Sequence, residues 1–167
     1  HVARAFKQQT RFVQSLPVPL DTWDEWIREE STAVGPYSVD TSHQRIDNID
    51  TLREDPPTAT VPGTVYEYLT HLQELFEILR QQNPIYHRLL EKIESCIESE
   101  KQLTVLFRKR SSQQAFSYAL QENRGLSVED LNEQGIHILR PDGLRQLNGV
   151  DDLIMTHPLP PSKTQFY

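Results

Sequence analysis

Leu103-Thr104-Val105-Leu106-Phe107-Arg108-Lys109-Arg110-Ser111-Ser112-Gln113-Gln114-Ala115-Phe116 is the stretch whose reading decides the fold. Its first five residues form a short continuous run rich in β-formers, and Ala115, Phe116, Ala119 and Leu120 then recur at helical spacing, so the run reads as a buried strand feeding a helix. Ser111 with Gln114 has the form of a capping box for that helix, and Gly125 is its expected stop. Downstream, Ser127 to Asn132 adds a turn of helix and Ile136-His137-Ile138-Leu139 is a second strand. Pro141 to Leu147 is a short helix opened by proline, and Asp152-Leu153-Ile154-Met155 is a third strand. Strand, helix, strand, helix, strand is the signature of a parallel α/β unit of Rossmann-like type.

Upstream, Val65, Tyr68, Leu69, Leu72, Leu75, Phe76 and Leu79 fall on one face of a helix that Thr64 and Glu67 are placed to cap. Asn83-Pro84 interrupts it, with Asn as cap and Pro at the first helical position, and Leu89, Leu90, Ile93 and Ile97 carry a second stripe to about Ser99. A helical hairpin or a kinked long helix is expected over 64–100, packed with the α/β unit of 101–167 in one compact domain. Residues 1–63 read as two short helices and an arm. The helices are Val2 to Ser15 and one that Thr22 and Glu25 are placed to cap, whose Trp23 and Trp26 form an apolar face for docking on the rest of the domain. From Ser31 to Gly63 the pattern dissolves into Pro, Gly, Ser, Thr, Asp and Asn, and a long irregular acidic segment is expected.

The chain has 167 residues, with 17 basic and 24 acidic side chains, a net charge of -7, and 37% hydrophobic residues; its mean hydropathy is -0.59. Residues 1–100 hold nine basic and 17 acidic side chains, and residues 101–167 hold eight and seven. A negative chain is a poor general polyanion binder, so any nucleic-acid role has to rest on a local patch. No apolar run reaches the roughly 18 residues of a membrane span. The single cysteine, Cys96, cannot form an internal disulfide, and a cytoplasmic, reducing compartment is expected. The chain opens at His1 and its one methionine is Met155, so a piece of a longer polypeptide is expected.

No G-x-x-x-x-G-K-[ST] loop, G-x-G-x-x-G turn, H-E-x-x-H helix, G-x-S-x-G elbow or Cys-x-x-Cys pair occurs. The chain alone is therefore expected neither to hydrolyse nucleotides by the phosphate-loop route nor to carry a cofactor. The feature with most chemical content is Arg108-Lys109-Arg110-Ser111-Ser112-Gln113, between the carboxyl end of a strand and the amino end of a helix. Ligands of open parallel sheets bind outside the carboxyl ends of the strands, and a helix start offers N–H groups to an anion. Three cations at that place point to a phosphate site; the alternative is a solvated turn. Asp151-Asp152, paired carboxylates before the last strand, suit a hard cation such as Mg²⁺ or simply mark a strand entrance. His157, in the Pro-rich loop after that strand, has no partner that would assign it a role.

The stretch from Leu103 to Phe116, continuing to Ala119-Leu120, resembles the fourth conserved motif of superfamily 1 DNA helicases, in which a "VLYR" strand leads through a Ser/Asn/Gln turn into a helix. The resemblance implies a RecA-like second motor lobe, with Arg108 facing the nucleotide and Ser111, Ser112 and Gln113 in the following turn. It spans about 20 residues, and the family's fifth and sixth motifs and its phosphate-loop lobe are not visible in this chain. The expectation is a non-hydrolysing helicase-like accessory domain, with nucleic acid and a larger polypeptide or protein as partners and no membrane. Two other readings stand beside it: an interaction or regulatory module using the Tyr68/Leu72/Phe76/Leu79 stripe or the Trp23/Trp26 face, and a small α/β enzyme with its site near Asp152 and His157.

Overall fold

A computed structural model describes residues 2–30, 40–54, 62–147 and 149–156, and the chain divides into two compact units, His1–Tyr86 and His87–Tyr167. The regular elements among the described residues of the first are helices: α1 (Val2–Gln14), α2 (Leu20–Glu30), α3 (Ser42–Glu54) and α4 (Pro62–Gln81), with α5 (Pro84–Glu98) starting at its end. The amphipathic patterns convert directly into its core. Phe12, Leu16, Val18, Leu20, Trp23, Trp26, Leu69, Leu72, Phe76 and Leu79 are all buried. The Phe12 ring packs edge-on against Trp23 at 5.4 Å and tilted against Phe76 at 6.1 Å, while Trp23 lies 5.1 Å from Trp26. The tryptophan face and the Leu72/Phe76/Leu79 stripe are thus core; among the described side chains of α4, Tyr66, Leu75 and Ile78 are exposed.

Several helix starts fall earlier than the hydroxyl residues suggest. The Trp23 N–H donates to the Pro19 carbonyl at 2.9 Å, so α2 is already under way at Leu20 and Thr22 lies inside its first turn. α4 begins at Pro62, leaving Thr64 and Glu67 exposed within the helix rather than at its cap. Proline supplies the helical φ and has no N–H to satisfy, so it starts a helix without a capping hydroxyl. Asn83 does cap α5: its Oδ1 accepts the N–H groups of Ile85 (2.9 Å) and Tyr86 (3.2 Å). Its Nδ2 donates to the carbonyls of Leu16 (3.0 Å) and Val18 (2.8 Å), so one buried amide ties the α1–α2 connection to the start of α5.

The expectation of an irregular segment over 31–63 is corrected by α3, which occupies Ser42–Glu54. Thr41 and Gln44 form its capping box: the Gln44 N–H donates to Thr41 Oγ1 at 3.2 Å and the Thr41 N–H to Gln44 Oε1 at 2.8 Å. Asp24 of α2 accepts both the N–H (2.7 Å) and the hydroxyl of Ser42, placing a carboxylate where the helix dipole favours one. Several polar contacts hold α3, among them the Gln73 Nε2 donation to Asp50 Oδ1 at 2.5 Å. The Arg45 guanidinium sits 3.7 Å above the Phe12 ring, donates to Gln9 Oε1 at 3.2 Å and faces Asp40 at 3.7 Å, with only 7% of the residue exposed. Burial pulls its pKa down, opposed by Asp40 and Asp24. Ile46, Ile49 and Leu52 recur at i, i+3 and i+6 behind the Thr41/Gln44 box, a short local signal that the polar composition of the segment hides.

In the second unit, α5 is followed by β1 (Leu103–Leu106), α6 (Arg110–Arg124), α7 (Val128–Glu133), β2 (Ile136–Leu139), a 3₁₀ helix (Pro141–Gln146) and β3 (Asp152–Met155). The fold is mixed helix and strand, mostly helical, with a small parallel sheet of order β2-β1-β3. The central strand is buried at every residue, as a parallel strand covered on both faces should be. Gly125 ends α6 in the left-handed conformation at φ 65°, which glycine adopts without a Cβ penalty. Ser127 and Asp130 form a reciprocal capping box for α7. Among the described residues no helix is long and apolar enough to cross a membrane.

Candidate functional site

The parallel register sets Leu106, Leu139 and Met155 at one level, so the carboxyl ends of all three strands come together. Beyond that level the chain is pinned for one more residue. The Phe107 N–H donates to the Leu139 carbonyl at 2.9 Å, and its fully buried ring packs 5.2 Å from Phe116. That ring pair holds the start of α6 close to the strand end, and the helix begins at Arg110. Lys109 is its N-cap in extended conformation, with no capping hydrogen bond from its side chain. Ser111 is therefore not the cap that the Ser111/Gln114 spacing suggests; it lies in the first turn.

The six residues of the basic turn separate by role. Arg108, Lys109 and Arg110 are exposed, Ser111 is half-buried and Ser112 is buried. Gln113 Nε2 donates to the Ile138 carbonyl at 2.9 Å, so this side chain fastens α6 to β2. The strand ends add two groups that motif reading missed. Arg140 follows β2 directly and pairs with Asp142 at 2.5 Å. Thr156 follows β3, and its N–H (3.2 Å) and hydroxyl (3.0 Å) both donate to the Leu106 carbonyl. The signal for both was positional, the first residue after each strand. β2 and β3 flank β1 on opposite sides, so the strand that carries the basic turn is central, and open parallel sheets hold ligands outside the carboxyl ends of their strands. The basic turn and Thr156 border that place.

The acidic pair lies at the other end of the sheet. Asp151 Oδ2 accepts the Gln102 N–H at 2.9 Å, and Asp152 Oδ2 is 2.7 Å from Lys92 Nζ, with Cys96 Sγ at 3.8 Å. The Lys92 ammonium holds the Asp152 carboxyl below its ordinary range and is itself raised by the pairing. Both carboxylates thus join β3 to neighbouring elements of the unit. Among the described residues no three His, Cys, Asp or Glu side chains cluster in a way that could hold a metal ion. His157 lies outside the described residues. Comparison with protein-family models, curated proteins and solved structures gives no match for this chain.

Proposed function

We propose that the second unit binds phosphate groups of nucleic acid or of a nucleotide through Arg108, Lys109 and Arg110, as a non-hydrolysing helicase-like accessory domain of a larger protein or complex. The observation that carries this reading is the run of three exposed cations directly beyond the carboxyl end of the central parallel strand. Ser111 lies beside them at the start of α6, whose N-terminal dipole adds to the positive potential. Ser112 and Gln113 act from behind, by packing and by holding α6 against β2. The work is binding and positioning, with no bond made or broken.

The test is titration of fluorescent single-stranded and duplex DNA, and of ATP, with the chain at two salt concentrations, beside the variant R108A/K109A/R110A. Each lost phosphate contact lowers the slope of log K against log salt by about 0.7–0.9, so the variant is expected to lose roughly two to three units of slope and most of the affinity. Because the chain as a whole carries -7, background attraction does not mask the effect. Absence of binding at low salt, or undiminished binding by the variant, refutes the proposal.

A further inference from the structure

β3 is an outer strand: β1 pairs with one of its edges, and among the described residues no strand pairs with the other. The Asp152 N–H donates to the Gln102 carbonyl and the Thr156 N–H to the Leu106 carbonyl, both of or beside β1. Backbone groups in a strand alternate in direction, so Asp152, Ile154 and Thr156 address β1, and Leu153 and Met155 direct their N–H and C=O groups to the outer edge. These same two residues carry exposed apolar side chains, Leu153 at 51% and Met155 at 45%, with Val150 at 39% just before the strand. An outer edge with open hydrogen-bonding groups and apolar side chains is a template for another strand, and native proteins ordinarily blunt such edges with charge or proline.

The residues of β3 are complementary to themselves. In an antiparallel pair about a two-fold axis through Ile154, Leu153 of each copy falls opposite Met155 of the other. Directly opposite residues share a face of the sheet, so this register is the one that unites the exposed apolar side chains in cross-strand pairs. It also sets the outward N–H and C=O groups of Leu153 against those of Met155, making hydrogen-bonded pairs with Ile154 as the non-bonded pair on the axis. Antiparallel apposition further brings the acidic amino end of β3, Asp151-Asp152, toward the other copy's carboxyl end, where Arg108-Lys109-Arg110 leave the neighbouring strand. A two-fold contact of one patch with itself is the commonest way a soluble chain dimerises.

We infer that the chain forms a two-fold dimer through edge-to-edge antiparallel pairing of β3, joining two three-stranded sheets into one. This is independent of the phosphate-binding reading, and either can fail without the other. Sedimentation equilibrium of the 167-residue chain is expected to show concentration-dependent doubling of its 19.4 kDa mass. Leu153→Lys or Met155→Glu alone is expected to weaken dimerisation by about tenfold or more, through lost apolar pairing and uncompensated charge. The double variant L153K/M155E sets Lys opposite Glu twice and is expected to recover most of that loss, whereas L153K/M155K is not. Far-UV circular dichroism checks that each variant is folded. On the unaltered chain, amide hydrogen exchange at Leu153 and Met155 is expected to slow as concentration rises, with that of Ile154 unchanged. A monomer at every concentration overturns the inference, as does a dimer indifferent to these substitutions or a strand from another protein as the only partner of this edge.

Discussion

Replacing Asn83 is expected to destabilise the first unit more than its size suggests. The side chain is 1% exposed and makes four hydrogen bonds, accepting from Ile85 and Tyr86 and donating to Leu16 and Val18. Loss of the cap costs about 1 kcal/mol. Each carbonyl left without a donor in a buried place costs roughly 1–3 kcal/mol, at the lower end if water reaches it. Asn83→Ala is therefore expected to cost about 3 kcal/mol. Asn83→Ser keeps an oxygen for the α5 N–H groups while losing both donations, and is expected to cost about 1 kcal/mol less than alanine. Asn83→Asp keeps the cap but turns a carboxylate oxygen toward two carbonyls. That carboxyl is expected to have a raised folded pKa, so the variant is most stable relative to the parent in acid and loses ground as pH rises through that value. Urea unfolding followed by tryptophan fluorescence isolates the effect, because Trp23 and Trp26 are the two tryptophans of the chain and both lie in the first unit. An alanine variant within about 0.5 kcal/mol of the parent, the level of an ordinary surface substitution, would refute the reasoning. So would a serine variant as weak as alanine, since the cap would then carry none of the effect.

Arg45→Ala, followed by the same fluorescence, is expected to cost about 2–3 kcal/mol, from the lost cation–π contact with Phe12 and the bond to Gln9. Arg45→Met is expected to lose less, because it keeps the buried stem and removes the charge that burial penalises. In the second unit, the depressed pKa of Asp152 contributes stability above the ordinary carboxylate range near 4, which is lost as pH falls through the folded value. Asp152→Asn is expected to flatten the acid limb of a far-UV circular dichroism stability profile, and an unchanged limb counts against the Lys92–Asp152 pairing.

The division between local and distant causes runs through particular residues. The α4 stripe, the Asn83-Pro84 start of α5, the apolar run of β1, the Gly125 stop and the helical turn after Ser127 were legible because each depends on neighbours within a turn or two of chain. The parallel unit was legible from the alternation of its elements, although a sheet of this size supports only a loose likeness to a Rossmann arrangement. The candidate site was readable as a run of residue types, Arg108 to Gln113, but not as a set of directions. Phe107 packing on Phe116 moved the helix start to Arg110, displaced Ser111 from the cap and turned Gln113 toward Ile138.

Helix α3 escaped notice because its apolar spacing is short, Ile46, Ile49 and Leu52 amid polar residues, and because Arg45 and Ser42 are buried against partners as distant in the chain as Gln9, Phe12 and Asp24. Propensity and periodicity report on a residue's own turn. A buried polar group is stable only where the folded chain supplies its partners, and nothing local signals that it will. Strand order is of the same kind, since β3 passes β2 to pair with the far side of β1 and so leaves Leu153 and Met155 on an open edge. The sequence alone established the elements with long apolar periodicity, α3 excepted, because that periodicity follows from local chain geometry. The tertiary fold alone decided which polar groups are buried, which cations face solvent and which strand edge stays open, because each depends on pairing between residues far apart in the chain.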